Sequence, residues 1–444
     1  MSYYDPLISS SPQGQPNANS YWADSISLGQ SQPKLTQTQQ CDVAIIGGGY
    51  TGLLTAYYLA TEHHLDCHVL EANQVGFGAS ARNAGFVLKG SGRLGYAAMA
   101  KRWDLATTQG IYQEFTEAVE RVESLIAQHK IECDAQANGY IKMAHNARAM
   151  QQLVQANEFI NRFLGQDAHT LTQQQLHDKY MRNQQAFGAL RVKHSFGVNP
   201  LKLLLGYKQV ALNAKVTLSE HSCVIDWQQQ GGLNRLITAQ GELLANKVVC
   251  AGNGYSSKQL SPIIDNKFLP IMSNIIVTEP LTTAELNQAG LQTHQVTMDT
   301  RILKYYYRLL PDNRILFGGR GAVWGKNAND DVYAKRLKLA LDKCFPICAH
   351  KKVDYKWHGW IAASMDDMPH VYLDGDTAYS LGYCGAGVSF SAQAAYRLAQ
   401  QVAGKQVPDL PLYQQPLPAM PFANLRRVGQ WGYYHYGWLR DRLG

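Results

Sequence analysis

The stretch that most constrains the fold of this chain runs from Cys41 to Glu71 and reads CDVAIIGGGYTGLLTAYYLATEHHLDCHVLE. A short apolar run ends in a glycine turn, an alanine- and leucine-rich segment follows, and a second short apolar run ends in an acid. This order predicts strand, tight turn, helix and parallel strand, the arrangement of a dinucleotide-binding βαβ unit. A carboxylate at Glu71 would accept hydrogen bonds from ribose hydroxyls and repel a 2′-phosphate, so the motif favours FAD or NAD over NADP.

Three later segments predict contacts to the same ligand. A loop of small residues, GFGASARNAGF, follows Glu71, with Arg82 expected to meet phosphate oxygens. A buried strand runs into glycines near Gly252, and a late strand enters a glycine junction at Gly385 before a helix. One extended ligand that touches four separated segments is more naturally FAD than NAD. The residues expected to contact the cofactor are Gly47, Gly49, Tyr50, Thr51, Gly52, Glu71, Ala72, Gly78, Ala79, Ser80, Arg82, Asn83, Ala84, Gly85, Val224, Ala251, Gly252, Tyr255, Gly385, Ala386, Gly387, Val388 and Ser389.

Composition excludes several other classes of protein. With 45% hydrophobic and 17% charged residues, the chain is predicted to be globular rather than disordered. No apolar run reaches the roughly 18 to 20 residues that span a bilayer, and the N-terminus lacks a secretory signal pattern, so we expect a cytoplasmic protein. The formal charge of +7 is mild for this length, so nucleic-acid binding is not expected.

No metal site is expected either. His64 and His68 stand four positions apart but straddle a predicted helix-to-strand junction, so they would not share a helix face. Cys344 and Cys348 form CxxxC without a second Cys or His pair at zinc spacing nearby, which favours two unrelated thiols over a redox pair or a zinc site.

The pattern along the 444 residues predicts two interleaved domains. The fold class is α/β (α+β), with a Rossmann-like FAD-binding domain and an antiparallel-sheet substrate domain. Strands joined by short turns over residues 267–320 predict the antiparallel sheet. The expected division is an N-terminal arm at 1–40, the FAD-binding domain at 41–100, 196–265 and 350–405, the substrate domain at 101–195 and 266–349, and a C-terminal tail at 406–444.

The motifs GGGYTG, GASARNAG, VVCAGNGY, YYYRLLPDNRILFGG and GYCGAGV, together with Glu71, resemble the FAD-dependent D-amino acid oxidase superfamily. Within it they are similar to the gamma-glutamylputrescine oxidase-like branch, and the resemblance spans roughly residues 20–444. It implies oxidation of a C–N bond by hydride transfer to flavin N5, giving an imine that water hydrolyses. Oxygen, or another electron acceptor, would then reoxidise the flavin, with hydrogen peroxide formed when oxygen is used.

Departures from the family pattern narrow the range of expected substrates. Relatives that oxidise amino acids clamp the substrate carboxylate with the Arg of a Gly-Leu-Arg-Pro segment, and the stretch that corresponds here, 359–362, reads Gly-Trp-Ile-Ala. This weakens the case for a plain α-amino acid, although Arg308 or Arg320 could replace the missing Arg or form structural ion pairs. The places where some relatives attach FAD covalently hold no Cys or His, so non-covalent FAD is implied. No equivalent of the oxygen-activating Lys is found in 314–321, which leaves oxidase and dehydrogenase open.

For the substrate pocket we expect Tyr305, Tyr307, His358 and Trp360, because aromatic faces attract an ammonium group and exclude water. Ordinary core packing is an equally good reading for each of them. The leading hypothesis is oxidation of a small-molecule amine such as gamma-glutamylputrescine. The alternatives are a secondary or cyclic amino acid of the sarcosine or pipecolate type, and a flavoprotein that serves a protein or tRNA partner.

Overall fold

Two sheets carry the architecture of this computed structural model, which describes residues 3–165, 168–257 and 260–443. In chain order the strands are β1 (Thr38–Ile46), β2 (Cys67–Leu70), β3 (Phe86–Val87), β4 (Tyr140–Met143), β5 (Ala168–Thr172), β6 (Gly188–Val192), β7 (Phe196–Gly197), β8 (Thr217–Ser219), β9 (Asp226–Gln230), β10 (Leu233–Ile237), β11 (Glu242–Cys250), β12 (Leu269–Thr278), β13 (Val296–Asp299), β14 (Tyr306–Leu309), β15 (Ile315–Arg320), β16 (Val353–Ala363), β17 (His370–Asp374) and β18 (Thr377–Leu381). The α-helices are α1 (Tyr21–Ser25), α2 (Tyr50–Glu62), α3 (Ala79–Arg82), α4 (Tyr96–Arg102), α5 (Leu105–His129), α6 (Ala147–Phe163), α7 (Gln173–Lys179), α8 (Pro200–Asn213), α9 (Thr283–Ala289), α10 (Asp331–Cys344), α11 (Gly387–Val402), α12 (Pro411–Gln414) and α13 (Arg426–Leu443).

The first sheet is largely parallel, with the order β17-β18-β11-β1-β2-β8. The antiparallel strand β10 is attached to β11, and β9 is attached to β10. Ile46 at the end of β1 pairs with Cys250 of β11 on one side and Leu70 of β2 on the other. The carboxyl ends of these three strands therefore meet at one edge, where ligands bind in open parallel sheets. Val43, Ile45 and Val69 are fully buried between the flanking helices, as expected for a doubly covered sheet.

The second sheet has the order β16-β12-β15-β14-β13-β4-β6-β5 and is antiparallel except where β13 runs parallel to β4. The predicted fold class, a Rossmann-like unit interleaved with an antiparallel-sheet unit, is confirmed. One boundary differs from the prediction, which placed residues 350–405 with the first sheet. Strand β16 instead pairs with β12 from Leu269↔Ala363 to Thr278↔Val353, so this sheet continues to residue 363. This strand of eleven residues pairs with β12 from end to end apart from one register shift near Asp354, so it belongs to the second sheet.

Both ends of the chain are held against this body. Asp5 is fully buried and its carboxylate lies 2.6 Å from the Arg427 guanidinium of α13. Trp22 of α1 is 1% exposed, and its indole N–H donates to the Asn83 carbonyl at 2.9 Å. The arm predicted at 1–40 thus contributes buried side chains, and the predicted tail carries α13. Within the ranges described above, no helix is both long and apolar enough to cross a bilayer.

Candidate cofactor and substrate site

One continuous cavity follows the carboxyl ends of β1, β2 and β11 and extends to the face of β12, β14 and β16. It encloses about 2030 Å³, including its open mouth. The expected cofactor residues that line it are Gly47, Gly49, Tyr50, Thr51, Glu71, Ala72, Gly78, Ala79, Ser80, Arg82, Asn83, Ala84, Val224, Ala251, Gly252, Tyr255, Gly385, Gly387 and Val388. Segments that are far apart in sequence therefore meet on one cavity, as the hypothesis of a single extended ligand requires.

Four of the expected cofactor residues do not line the cavity. Gly52 lies where α2 crosses β1, and a Cβ atom there would sit 1.9 Å from the Gly47 carbonyl oxygen. A Cβ atom at Gly85 would lie equally close to the Val198 carbonyl oxygen. Ala386 is buried next to the start of α11. The hydroxyl of Ser389 donates to the Leu88 carbonyl at 2.5 Å. These residues hold the cavity walls together, so contact with the cofactor does not follow for them.

The N-terminus of α2 lies at a glycine-lined part of the cavity. The helix has no side-chain cap at Gly49, and the Tyr50 N–H donates to the Ser80 hydroxyl at 3.1 Å. A Cβ atom at Gly49 would lie 2.9 Å from that hydroxyl oxygen, so glycine at this position leaves room for the Ser80 side chain at the start of the helix. Because uncapped N–H groups and the helix dipole attract anions, this end fits a pyrophosphate. Helix α11 also begins at the cavity without a side-chain cap.

Glu71 lies at the end of β2, where the ribose was expected. Its two carboxylate oxygens accept hydrogen bonds from the backbone N–H groups of Gly48 at 2.8 Å and Asn73 at 3.0 Å. Burial raises the pKa of this carboxyl group, and the backbone hydrogen bonds act in the opposite direction. The side chain is thereby fixed in one orientation and lines the cavity. The glycine-rich N-terminus and Glu71 together fit an adenosine diphosphate half of a dinucleotide.

The side chain of Arg82 has a different task from the one expected. Its guanidinium donates to the backbone carbonyls of Phe77 at 2.6 Å, Pro16 at 3.1 Å and His358 at 3.3 Å. These bonds tie the loop after Glu71 to the N-terminal arm and to β16. A guanidinium committed to three carbonyls in a buried position orders the loop. We therefore do not expect this side chain to bind a phosphate group.

At the other end of the cavity, the antiparallel sheet presents Tyr306 rather than its two neighbours. Successive side chains on a strand point to opposite faces, so Tyr305 and Tyr307 share the face that Tyr306 does not occupy. Tyr307 is 2% exposed, receives a hydrogen bond from Asn183 at 2.7 Å and stacks on Phe317. Neither Tyr305 nor Tyr307 lines the cavity. The tyrosine that lines the pocket is therefore Tyr306, which lies between the two tyrosines that were expected there.

The orientation of Tyr306 is set by its neighbours. Its hydroxyl lies 2.7 Å from the Ser273 hydroxyl, which in turn donates to the Gly319 carbonyl at 3.0 Å. Since the one serine proton is used there, Tyr306 donates to Ser273. A Cβ atom at Gly318 would come within 2.2 Å of the ring, so glycine there lets the ring lie across β15. Burial raises the pKa of Tyr306 to about 12, which keeps the phenol protonated.

The remaining expected pocket residues lie on β16. His358 does not line the cavity, and burial together with the Arg82 charge lowers its pKa to about 4. It is therefore a neutral imidazole near pH 7, held away from the cavity. Trp360 lines the cavity, but its ring is buried against Met272 and has the Arg427 guanidinium 4.9 Å from the ring centre. Gly359 and Ile361, which alternate with these two residues, also line the cavity.

Three cysteines line the cavity, namely Cys223, Cys250 and Cys384. Burial raises the pKa of each thiol, that of Cys250 to about 12. A protonated thiol is a weak nucleophile, and non-covalent binding of FAD stays a prediction from the sequence. Among the residues with a described placement, no group of three or more His, Cys, Asp or Glu side chains could hold a metal ion.

Several cavity residues were not identified from the sequence. Besides Tyr306 they include Ser273 and Ile275 of β12, Met298 of β13 and Lys304 in the loop before β14. The period-two alternation of the strands was the available signal, since it separates Tyr306 from Tyr305 and Tyr307. Lys304 carried no such signal, because its position depends on how the loop between β13 and β14 folds.

Comparison with known proteins assigns this site to a family. A model of the DAO family, described as FAD dependent oxidoreductase, matches residues 42–401. The chain is similar to the gamma-glutamylputrescine oxidoreductase of Escherichia coli (strain K12), with 31% identity over 446 residues that cover 96% of this chain and 99% of that protein. It is also similar to the probable oxidoreductase OrdL of Haemophilus influenzae, with 29% identity that covers 88% of this chain and 89% of the relative.

Solved structures show the same fold at low sequence identity. The L-proline dehydrogenase from P. horikoshii superposes with a TM-score of 0.70 at 16% identity, covering 86% of this chain and 96% of that one. The glycine oxidase from Geobacillus kaustophilus gives a TM-score of 0.68 at 18% identity, covering 86% and 99%. The resemblance and the FAD cofactor predicted from the sequence are confirmed. The chain belongs to the DAO family of FAD-dependent oxidoreductases.

Proposed function

We propose that this enzyme oxidises the terminal primary amine of a gamma-glutamylated polyamine, with gamma-glutamylputrescine as the leading substrate. The observation that carries the proposal is the match to a gamma-glutamylputrescine oxidoreductase over 96% of this chain and 99% of that protein. A cavity that joins the dinucleotide-binding edge to an aromatic pocket supports it. Ile361 lines the cavity in the segment where an Arg clamp was considered, which disfavours a small α-amino acid.

The proposed reaction takes a hydride from the carbon that bears nitrogen and one proton from the amine, leaving a C=N double bond. Water then adds to this bond, so an aldehyde and ammonia are released. Bound FAD would accept the hydride and its two electrons. With oxygen as the final acceptor, one equivalent of amine, oxygen and water gives one each of aldehyde, ammonia and hydrogen peroxide.

The chain's own side chains position the amine and keep water away. The Tyr306 ring, held by Ser273, presents an aromatic surface against which the carbon chain of the substrate can pack. Ile275, Met298 and Ile361 add apolar lining on the same cavity, which favours the neutral amine that hydride transfer requires. No general base is needed if the amine loses its proton on entering this pocket.

An anaerobic reduction assay tests the proposal. The purified holoenzyme should lose its flavin absorbance when mixed with gamma-glutamylputrescine, and the aldehyde product should be trapped in equal amount. Readmission of oxygen then distinguishes an oxidase, which yields peroxide, from a dehydrogenase, which needs an added electron acceptor. Reduction only by sarcosine, pipecolate or other small amino acids would contradict the proposal and favour that alternative.

A further inference from the structure

The substrate end of the cavity carries positive charge that the protein does not neutralise. Lys304 and Arg320 both line the cavity beside Tyr306. Neighbouring carboxylates are already engaged: Asp299 is buried and ion-paired with Arg301, and Glu71 belongs to the dinucleotide end. Two cations on a partly enclosed wall without a carboxylate of their own invite an anionic ligand.

Among the residues that the structure describes, the Lys304 ammonium group has only a neutral hydrogen-bond partner. Its ammonium group donates to the Gly92 carbonyl at 2.7 Å. Burial lowers its pKa to about 7, with further lowering by the positive charges of Lys142, Arg320 and Arg93. The carboxylate of Asp299 acts in the opposite direction but does not reverse the effect. Bound carboxylate would restore the ordinary preference of this group for its charged form.

Arg320 is the least satisfied cation of the site. In the part of the chain described here, its guanidinium makes no hydrogen bond or ion pair. Arg93, the other nearby guanidinium, is already paired with Asp367 at 2.8 Å and bonded to the Tyr433 hydroxyl at 3.0 Å. A guanidinium presents a planar fork of donors that matches a carboxylate, so an unpaired one on a cavity wall is suited to bind it.

We propose that Lys304 and Arg320 form the binding site for a carboxylate of the substrate, so that the enzyme selects amines that carry an anionic group away from the reacting carbon. This inference rests on the proposed function and adds its selectivity. A simple diamine such as putrescine brings two positive charges to this wall and is repelled. A gamma-glutamyl group converts one of those ammonium groups to an amide and adds an α-carboxylate together with an α-ammonium. The conjugate therefore carries one net positive charge less than putrescine and offers a carboxylate to the two cations, which explains why it would be preferred.

The kinetic test compares gamma-glutamylputrescine with its α-carboxamide analogue, in which only the carboxylate is neutralised. We expect the wild-type kcat/KM to be about ten- to a hundredfold higher for the carboxylate, since charge-assisted hydrogen bonds carry about 1.5–3 kcal/mol. Arg320→Gln and Lys304→Gln should reduce this ratio through KM, and Arg320→Lys should restore part of it. Lys335→Gln removes an equal charge from an exposed position on α10 and should leave the ratio unchanged.

A binding measurement separates this inference from the chemistry. Gamma-glutamylbutylamide keeps the carboxylate but lacks the amine to be oxidised, and it should raise the melting temperature of wild-type holoenzyme but not of the Arg320→Gln holoenzyme. If that holds while no amine reduces the flavin, the proposed function fails and the carboxylate site stands. Equal kcat/KM for the two substrates in the wild type, a parallel loss for both in Arg320→Gln, or no thermal shift in the wild type would each overturn the inference.

Discussion

The contact between α2 and β1 gives the sharpest test of how the cofactor site is built. In a Gly52→Ala variant the new Cβ atom would lie 1.9 Å from the Gly47 carbonyl oxygen and 3.2 Å from the Ile45 side chain. To reach even 3.0 Å from that oxygen, the helix must move by at least about 1.1 Å. Overpacking of this kind costs about 1–3 kcal/mol, and here the obstacle is backbone rather than a flexible side chain.

We therefore expect the Gly52→Ala apoprotein to melt about 1 to 3 °C below wild type, since the shift is only about 1 °C per kcal/mol for a chain of 444 residues. The displaced helix start should also weaken FAD binding, measured by titration of apoprotein with FAD and flavin fluorescence. Gly78→Ala is the matched control for folding, because nothing lies within 4 Å of its added Cβ atom and the apoprotein should melt like wild type. Wild-type melting and wild-type FAD affinity in Gly52→Ala would refute the claim that this close contact shapes the site.

Three further variants test the substrate end and the chain ends. Tyr306→Phe should lower kcat/KM about five- to tenfold by loss of one buried hydrogen bond, whereas Tyr305→Phe should not; the reverse order in steady-state kinetics would contradict the assigned strand face. The pKa of Lys304 is lowered to about 7, so its side chain is charged below that pH, and kcat/KM for gamma-glutamylputrescine should fall as the pH rises through 7. This pH-dependent fall should vanish in Lys304→Gln. If it persists unchanged in that variant, another group is responsible for it. Asp5→Ala leaves Arg427 buried without its carboxylate and should cost about 3–5 kcal/mol in the free energy of unfolding, measured by denaturant titration; a cost below about 1 kcal/mol would show that water replaces the carboxylate.

The cofactor half of the site was predictable from the sequence because its chemistry uses backbone and glycine. Gly47, Gly49 and Glu71 occupy fixed positions relative to two strands and one helix, so local spacing determines where they lie. The same reasoning did not distinguish residues that touch the ligand from those that hold the walls. Gly52 and Gly85 are required because a Cβ atom at either position would lie 1.9 Å from a backbone carbonyl oxygen, which a sequence does not display.

The substrate half was less predictable because it depends on which face of a sheet turns inward. Alternate side chains of a strand point to opposite faces of the sheet, but three consecutive tyrosines, 305–307, give no hydrophobic contrast between those faces. The sequence therefore does not show which of the tyrosines points into the cavity. Their orientation is fixed by long-range pairing, Tyr306 with Gly318 and with Met298 on neighbouring strands. Arg82 shows the same limit, since its three carbonyl partners come from distant parts of the chain.

The ion pair between Asp5 and Arg427 links positions 422 residues apart, and Arg427 also covers the ring of Trp360 on the cavity wall. Because a chain is synthesised from its N-terminus, the ion pair of Asp5 with Arg427 forms only after nearly the whole protein has been made. The wall behind Trp360 is therefore among the last parts of the molecule to be completed. A nascent or prematurely ended chain could form the parallel sheet and the glycine turn, yet would lack the closure that finishes the substrate end.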